Sequence, residues 1–297
     1  MTGREAGFLL LSSHLGDPER RILTVSQLRT LAKRAKLLKN EDREMTGEDL
    51  TGIGYNRAMA ERILSLLSDS EQLGWYIKRG ERQGCVPVTR VSEAYPRQLK
   101  DRMGWDCPGC LWAKGDLSIL REASVALVGS RELRPQNREF AAEVGTQAAK
   151  QGYALVSGNA RGADKTAQDA CLAAGGKVIS VVADRLEDQP ANPNILYLSE
   201  DGFDLPFTAQ RALSRNRVIH ALGKLTFAAQ CDLEKGGTWD GTVKNLRYGY
   251  SPVFCYADGS DAFAELRQMG AAGVEKEDLS DLKCLQPIAD NFLTNDV

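Results

Sequence analysis

The sequence predicts an α/β fold: a mostly parallel sheet with helices on both faces, preceded by a small helical domain. Three observations predict it. From Ser124 onward, short and almost wholly apolar runs recur, beginning with Val125-Ala126-Leu127-Val128. Strands apolar on both sides belong in a parallel sheet covered on both faces. Helical stretches separate these runs, in the alternation of βα units. Residues 1–80, by contrast, carry apolar residues at helical spacing.

Each element follows from its own pattern. Val25 to Leu38 places Leu28, Leu31, Ala32, Ala35 and Leu38 on one helical face. Leu50-Thr51-Gly52-Ile53-Gly54 then leads into Ala58, Ile63, Leu66 and Leu67. This is either half of a helix-hairpin-helix, whose turn N–H groups touch a DNA phosphate, or a glycine-containing turn in a plain helical bundle. Residues 81–123 read as a connector rich in Pro, Gly and Arg. Its Cys107-Pro108-Gly109-Cys110 is a redox pair, half a zinc site, or two incidental cysteines; no second CxxC and no nearby histidine complete it.

The sheet domain is expected over 124–270. After the first strand, Pro135 opens a helix carrying Phe140, Ala141, Val144 and Ala148. Ala154-Leu155-Val156 is the next strand, and a helix from about Ala163 ends at Gly175-Gly176. Val178 to Val182 and Ile195 to Leu198 are strands. A helix is expected to start near Ser214 as N-cap, followed by a strand Leu225–Ala229, a helix Asp240–Tyr248 and a strand Val253–Tyr256. Residues 271–297 show no strong pattern and no winged helix.

Composition narrows the function. The chain has 297 residues, 42% of them hydrophobic, with a formal net charge of −2. Bulk charge gives no support for nucleic-acid binding, so any such binding must come from locally concentrated cations. Seven cysteines without a framework read as a reduced, cytoplasmic protein. Phe8-Leu9-Leu10-Leu11 is too short for a secretory signal core, and no run nears the roughly 20 apolar residues that span a bilayer. The histidines, His14 and His220, lie far apart, which argues against a zinc site or a Ser-His-Asp triad. No metal and no cofactor is expected.

In an open parallel sheet, ligands bind beyond the carboxyl ends of the strands. The unusual residues of this chain fall there: Gly129-Ser130-Arg131; Ser157-Gly158-Asn159-Ala160-Arg161-Gly162-Ala163-Asp164; Arg215-Asn216-Arg217; and Lys235-Gly236-Gly237-Thr238 with Gly241-Thr242. Glycine lets the backbone approach an anion, helix N-termini add a positive dipole, and arginine offers a forked donor suited to phosphate. Arg215 and Arg217, read in the first turn of a helix, oppose its dipole. Either a bound anion or salt bridges to Glu200 or Asp201 would relieve this. Asp164 either holds a sugar hydroxyl or water, or stabilises a helix start. Lys235 either pairs with phosphate or is solvated. The loops match neither GxGxxG nor the P-loop. Trp239 and Phe207 are candidates for base stacking or for core packing.

These ordered motifs, with Tyr95-Pro96-x-x-Leu99 and Leu111-Trp112-Ala113-Lys114-Gly115 upstream, resemble the DNA-processing protein A family (DprA, also called Smf) over about residues 50–270. The resemblance implies a Rossmann-like sheet, single-stranded DNA as ligand, a homodimer, and assistance to a RecA-type recombinase during DNA-mediated transformation. It implies that Arg131, Arg161, Arg215, Arg217 and Lys235 contact phosphates while the glycine turns supply backbone donors. Asn159 stands where the family carries a small residue. The 235–242 loop is similar to that of a divergent branch and of the wider superfamily of nucleotide-processing enzymes. Related phosphoribohydrolases carry a PGGxGTxxE loop whose glutamate does acid–base work. The corresponding position here is Asn245, so a binding protein is expected rather than an enzyme, with a nucleotide sensor or hydrolase as the alternative.

Overall fold

The computed structural model describes residues 1–38 and 44–287. The end of the C-terminal tail, 288–297, lies outside the described residues. The N-terminal part holds α1 (Gly3–Ser12), α2 (Val25–Ala35), α3 (Gly47–Gly52), α4 (Arg57–Leu67) and α5 (Ser70–Arg82). Thr2, Thr24 and Thr46 cap the first three with reciprocal bonds to Glu5, Gln27 and Asp49. Leu23, Leu31, Leu50 and Ile63 form the core of this part. The glycine turn ending α3 is tied to α2, because Arg34 Nη1 donates to the Gly54 carbonyl at 2.7 Å.

The sheet has nine strands: β1 (Cys85–Thr89), β2 (Cys110–Lys114), β3 (Ser124–Val128), β4 (Ala154–Ser157), β5 (Val178–Val181), β6 (Ile195–Glu200), β7 (Thr226–Ala228), β8 (Val253–Tyr256) and β9 (Ala272–Val274). Their order is β1-β2-β6-β5-β4-β3-β7-β8-β9. Only β2 runs against the rest, pairing antiparallel with β1 and β6. The segment read as a connector thus contributes two strands and a helix, α6 (Arg97–Met103), and the patternless stretch after 270 contributes β9.

Alternate residues of β3 face opposite layers. Val125 and Leu127 pack with Phe140 and Val144 of α7 (Pro135–Lys150) and Ala167 of α8 (Ala163–Ala173). Ala126 and Val128 pack with Val218 and Leu222 of α9 (Ala209–Leu222). Then come α10 (Gly236–Tyr248) and α11 (Asp261–Gln268). The N-terminal helices meet the sheet through Tyr76, Trp112 and Phe203, whose ring centroids lie 4.7 to 5.3 Å apart.

Two helices start earlier than their sequence suggests. The N-cap of α9 is Thr208, not Ser214. Residues 209–213 are exposed or half-buried, so no apolar stripe announces this turn. Arg215 and Arg217 therefore sit mid-helix, and the dipole argument for an anion beside them lapses. Helix α10 starts at Gly236, so Gly236, Gly237 and Thr238 form its first turn rather than a loop.

Candidate functional site

Strand order fixes where a ligand site can open. From β3 the chain proceeds outward through β4, β5 and β6, then returns to the other side of β3 with β7. In open sheets a ligand crevice forms at the carboxyl ends where the strand order reverses, here between β3 and β7. Gly129 and Ser130 lie there; the Ser130 N–H donates to the Gln230 carbonyl after β7 at 2.9 Å.

Backbone packing draws the first two turns together. The Ala163 N–H donates to the Ser130 carbonyl at 3.1 Å. A Cβ on Gly129 would lie 2.4 Å from the Ala163 Cβ, and one on Gly162 would lie 2.4 Å from the Ser130 oxygen and 2.5 Å from that of Arg131. Gly162 also has φ +92°, which disfavours a side chain. Earlier in the same turn, Asn159 holds a left-handed φ of 61°, a conformation asparagine tolerates.

Arg215 closes the floor. A Cβ on Gly158 would lie 1.2 Å from Arg215 Nη1, so only glycine leaves room for this guanidinium over the turn after β4. Arg215 is 8% exposed and Asp164 6%. Their nearest charged atoms are 3.9 Å apart, an ion pair without a direct hydrogen bond. Asp164 Oδ2 instead accepts from the Ala160 N–H at 3.2 Å. Arg215 Nε is buried with no acceptor. Burial pushes the Asp164 carboxyl up and the Arg215 guanidinium down; each opposes the other's shift, Asp184 and Glu200 also support the Arg215 charge, and the Arg131 charge lowers both. Arg131 itself is exposed and makes no ion pair among the described residues. Arg161, on the rim, pairs with exposed Glu132 at 3.1 Å.

Other expected residues stand differently. Arg217 Nη2 donates to Glu200 Oε2 at 2.8 Å, and Nη1 donates to the Asp106 carbonyl. It braces β6 against α9 and the turn after α6, away from Gly158. Ser157 faces the core, accepting from Gln168 Nε2 at 2.7 Å. Asn216 Nδ2 donates to the Gly237 carbonyl at 2.9 Å and lies 3.4 Å from a Cβ placed on Gly241, joining α9 to α10. Thr242 is fully buried, its Oγ1 unpartnered. Lys235, Gly236 and half-buried Thr238 stay at the surface. Trp239 is core, whereas Phe207 is 54% exposed.

Asn245 lies wholly inside. Its Nδ2 donates to His220 Nδ1 at 3.1 Å and to Ser251 Oγ at 3.2 Å, and its Oδ1 accepts from the Ser251 N–H at 2.9 Å. His220 Nδ1 is thereby an acceptor, and burial drives this imidazole down to about 3. His14 is exposed and far from it in the chain. Cys107 and Cys110 are buried free thiols, and no three-residue metal-binding group exists among the described residues. No described helix is long and apolar enough to cross a membrane. Sequence reading passed over Arg211, whose guanidinium gathers the Ala183 and Leu205 carbonyls at 2.5 and 2.9 Å and Ser199 Oγ at 2.8 Å. Its place one turn before Arg215 was the available signal.

An open α/β sheet whose glycine turns gather at the β3–β7 reversal, with an antiparallel β2 and an N-terminal helical unit, defines a Rossmann-like protein of a particular build. The pattern of the family described as DNA recombination-mediator protein A matches residues 87–256. The chain belongs to this family. It is 31% identical over 195 residues to DNA processing protein DprA of Streptococcus pneumoniae, covering 61% of this chain and 68% of that one. It is 30% identical over 194 residues to Protein Smf of Escherichia coli, spanning 62% of this chain and about half, 51%, of Smf. The X-ray structure of the pneumococcal protein matches with a TM-score of 0.71 at 25% identity, over 94% of this chain and 97% of that one. A Helicobacter pylori DNA processing protein A, described for its single-stranded DNA binding mode, matches at 0.53 and 27% identity, over 64% of this chain and 90% of that one.

Proposed function

We propose that this chain binds single-stranded DNA at the carboxyl edge of its sheet and serves DNA processing in transformation without catalysing a covalent step. One observation carries the reading. A buried guanidinium, Arg215, lies directly over the Gly158 backbone, with its carboxylate partner 3.9 Å away and one N–H unpartnered, beside an Arg131 that has no ion pair among the described residues. Such a donor set has capacity for a phosphate oxygen. The N–H groups of the 129–131 and 158–163 turns add neutral donors, and Lys235 and Arg161 extend the positive rim. Arg217 is assigned to holding β6 and α9 in place, because Glu200 and a carbonyl already occupy it.

The similarity to a protein described as binding single-stranded DNA supports the ligand class. A hydrolase would need a carboxylate where Asn245 stands, and that side chain is buried in hydrogen bonds to His220 and Ser251. The wider reading is a homodimer in the cytoplasm that hands a bound strand to a RecA-type recombinase. The test is a fluorescence-polarisation titration of the purified protein with labelled oligo-dT at several salt concentrations. The expected result is micromolar or tighter affinity that weakens with salt, with a slope of about −0.7 per phosphate bound. Salt-independent binding, or equal affinity for a nucleoside monophosphate, would overturn the reading.

A further inference from the structure

A second cationic recess lies in the N-terminal helices. An open cavity of about 500 Å³ is walled by Arg20, Arg21, Arg62, Ser65 and Ser68, with Asp69 as the one carboxylate. Arg20 is already engaged: it pairs with Asp69 and donates to the Leu10 and Leu66 carbonyls at 3.0 and 3.2 Å. Arg62 Nη2 donates to the Arg21 and Ile22 carbonyls at 3.1 and 2.8 Å. These bonds fix both guanidinium groups without cancelling the charge of Arg62, since carbonyls are neutral. Arg21 is exposed and its side chain has no partner among the described residues. Arg20 Nε and Arg62 Nε are each buried with no acceptor. The recess therefore holds three cations against one anion, two of them anchored by hydrogen bonds, and the exposed Arg21 guanidinium keeps its donors free. That is the chemistry of a phosphate site.

Topology places the recess on the ligand side of the sheet. Strand β1 runs in the direction of β6, since both pair antiparallel with β2. Only Gln83 and Gly84 separate α5 from β1, so α5 returns alongside β1 and its first residues lie toward the strands' carboxyl ends. Tyr76 and Arg79 agree with this direction, bonding Asp204, just beyond β6, at 2.7 and 2.8 Å. Asp69 immediately precedes α5. We infer that the Arg20–Arg21–Arg62 recess takes a second phosphate of the same single strand, extending the DNA path from the sheet edge onto the helical domain. The inference rests on the single-stranded DNA reading of the sheet-edge turns.

The test uses the full chain and oligo-dT of about 8 and about 30 nucleotides, the shorter sized to one site and the longer to both. The Arg21→Glu/Ser65→Glu variant changes two exposed side chains that make no intramolecular side-chain bond among the described residues, so it is expected to fold. It should bind the short strand as the parent does. It should bind the long strand on the order of fivefold more weakly at 0.1 M salt for each phosphate the recess no longer holds, with a shallower salt slope. Arg21→Lys should restore most of the difference. Parent-like affinity for both lengths would overturn the second site while leaving the first intact. Failure of the parent itself to bind either strand would remove the sheet-edge reading and this inference with it.

Discussion

Arg215 and Arg217 stand two residues apart on α9 and occupy opposite kinds of setting. Two residues on a helix turn the side chain through about 200°, so one points to the end of β4 and the other to the end of β6. Arg215 is buried against bare backbone, its carboxylate beyond hydrogen-bond reach. Arg217 is matched by Glu200 at 2.8 Å. Sequence alone presents them as one cationic motif. The structure separates a guanidinium with no direct hydrogen bond to a carboxylate from one bonded to Glu200, and only the first enters the proposed phosphate site.

The most damaging change removes the space that holds the Arg215 side together. Gly162→Ala combines a positive φ with a Cβ 2.4 Å from a backbone oxygen. It should cost about 3 kcal/mol or more and lower Tm by several degrees, read by thermal denaturation. Next comes Arg217→Ala, which strands buried Glu200. Burial already pushes that carboxyl up, with Arg217 as the main opposing charge. The expected loss is about 2–4 kcal/mol by urea denaturation, with little change in affinity for a short oligonucleotide.

Much of this architecture was legible. Strands β3 to β8 announce themselves because parallel strands buried on both faces must be apolar throughout. Strand β1 is hidden by Pro87, tolerable only because it is an edge strand, and β9 is just Ala272-Gly273-Val274. The start of α9 is hidden because its first turns cover no core. At the site, the glycines and Arg215 were readable as residue types. The burial of Ser157, Thr242 and Asn245 was not, because that depends on how the helices pack against the sheet and against each other. Glu200 was one of two carboxylates named for the arginines, but spacing could not say that its ion pair is with Arg217 and not with Arg215.

A smaller effect belongs to the packed interior between α9 and α10, away from the sheet edge. His220 is held near 3 against an ordinary 6.5 by burial. Its folded pKa is depressed, so the unfolded chain takes up a proton first as pH falls, and stability drops below about 6.5. Between pH 8 and pH 5 this one group should cost about 2 kcal/mol. Asp164 and Glu200, shifted up by burial, act in the opposite sense, gaining stability as pH falls. His220→Gln isolates the histidine: chemical denaturation of parent and variant should show their stability difference narrowing by about that amount from pH 8 to pH 5. A constant difference would show that the imidazole is not buried neutral.

The most direct measurement compares Arg215→Ala with the parent in a salt series of polarisation titrations on one short oligo-dT. Arg215→Ala should weaken binding at least tenfold, about 1.4 kcal/mol, and make the salt slope shallower by about 0.7, one phosphate's share. A variant that binds with parental affinity and slope would contradict the assignment of Arg215 as the phosphate-binding guanidinium.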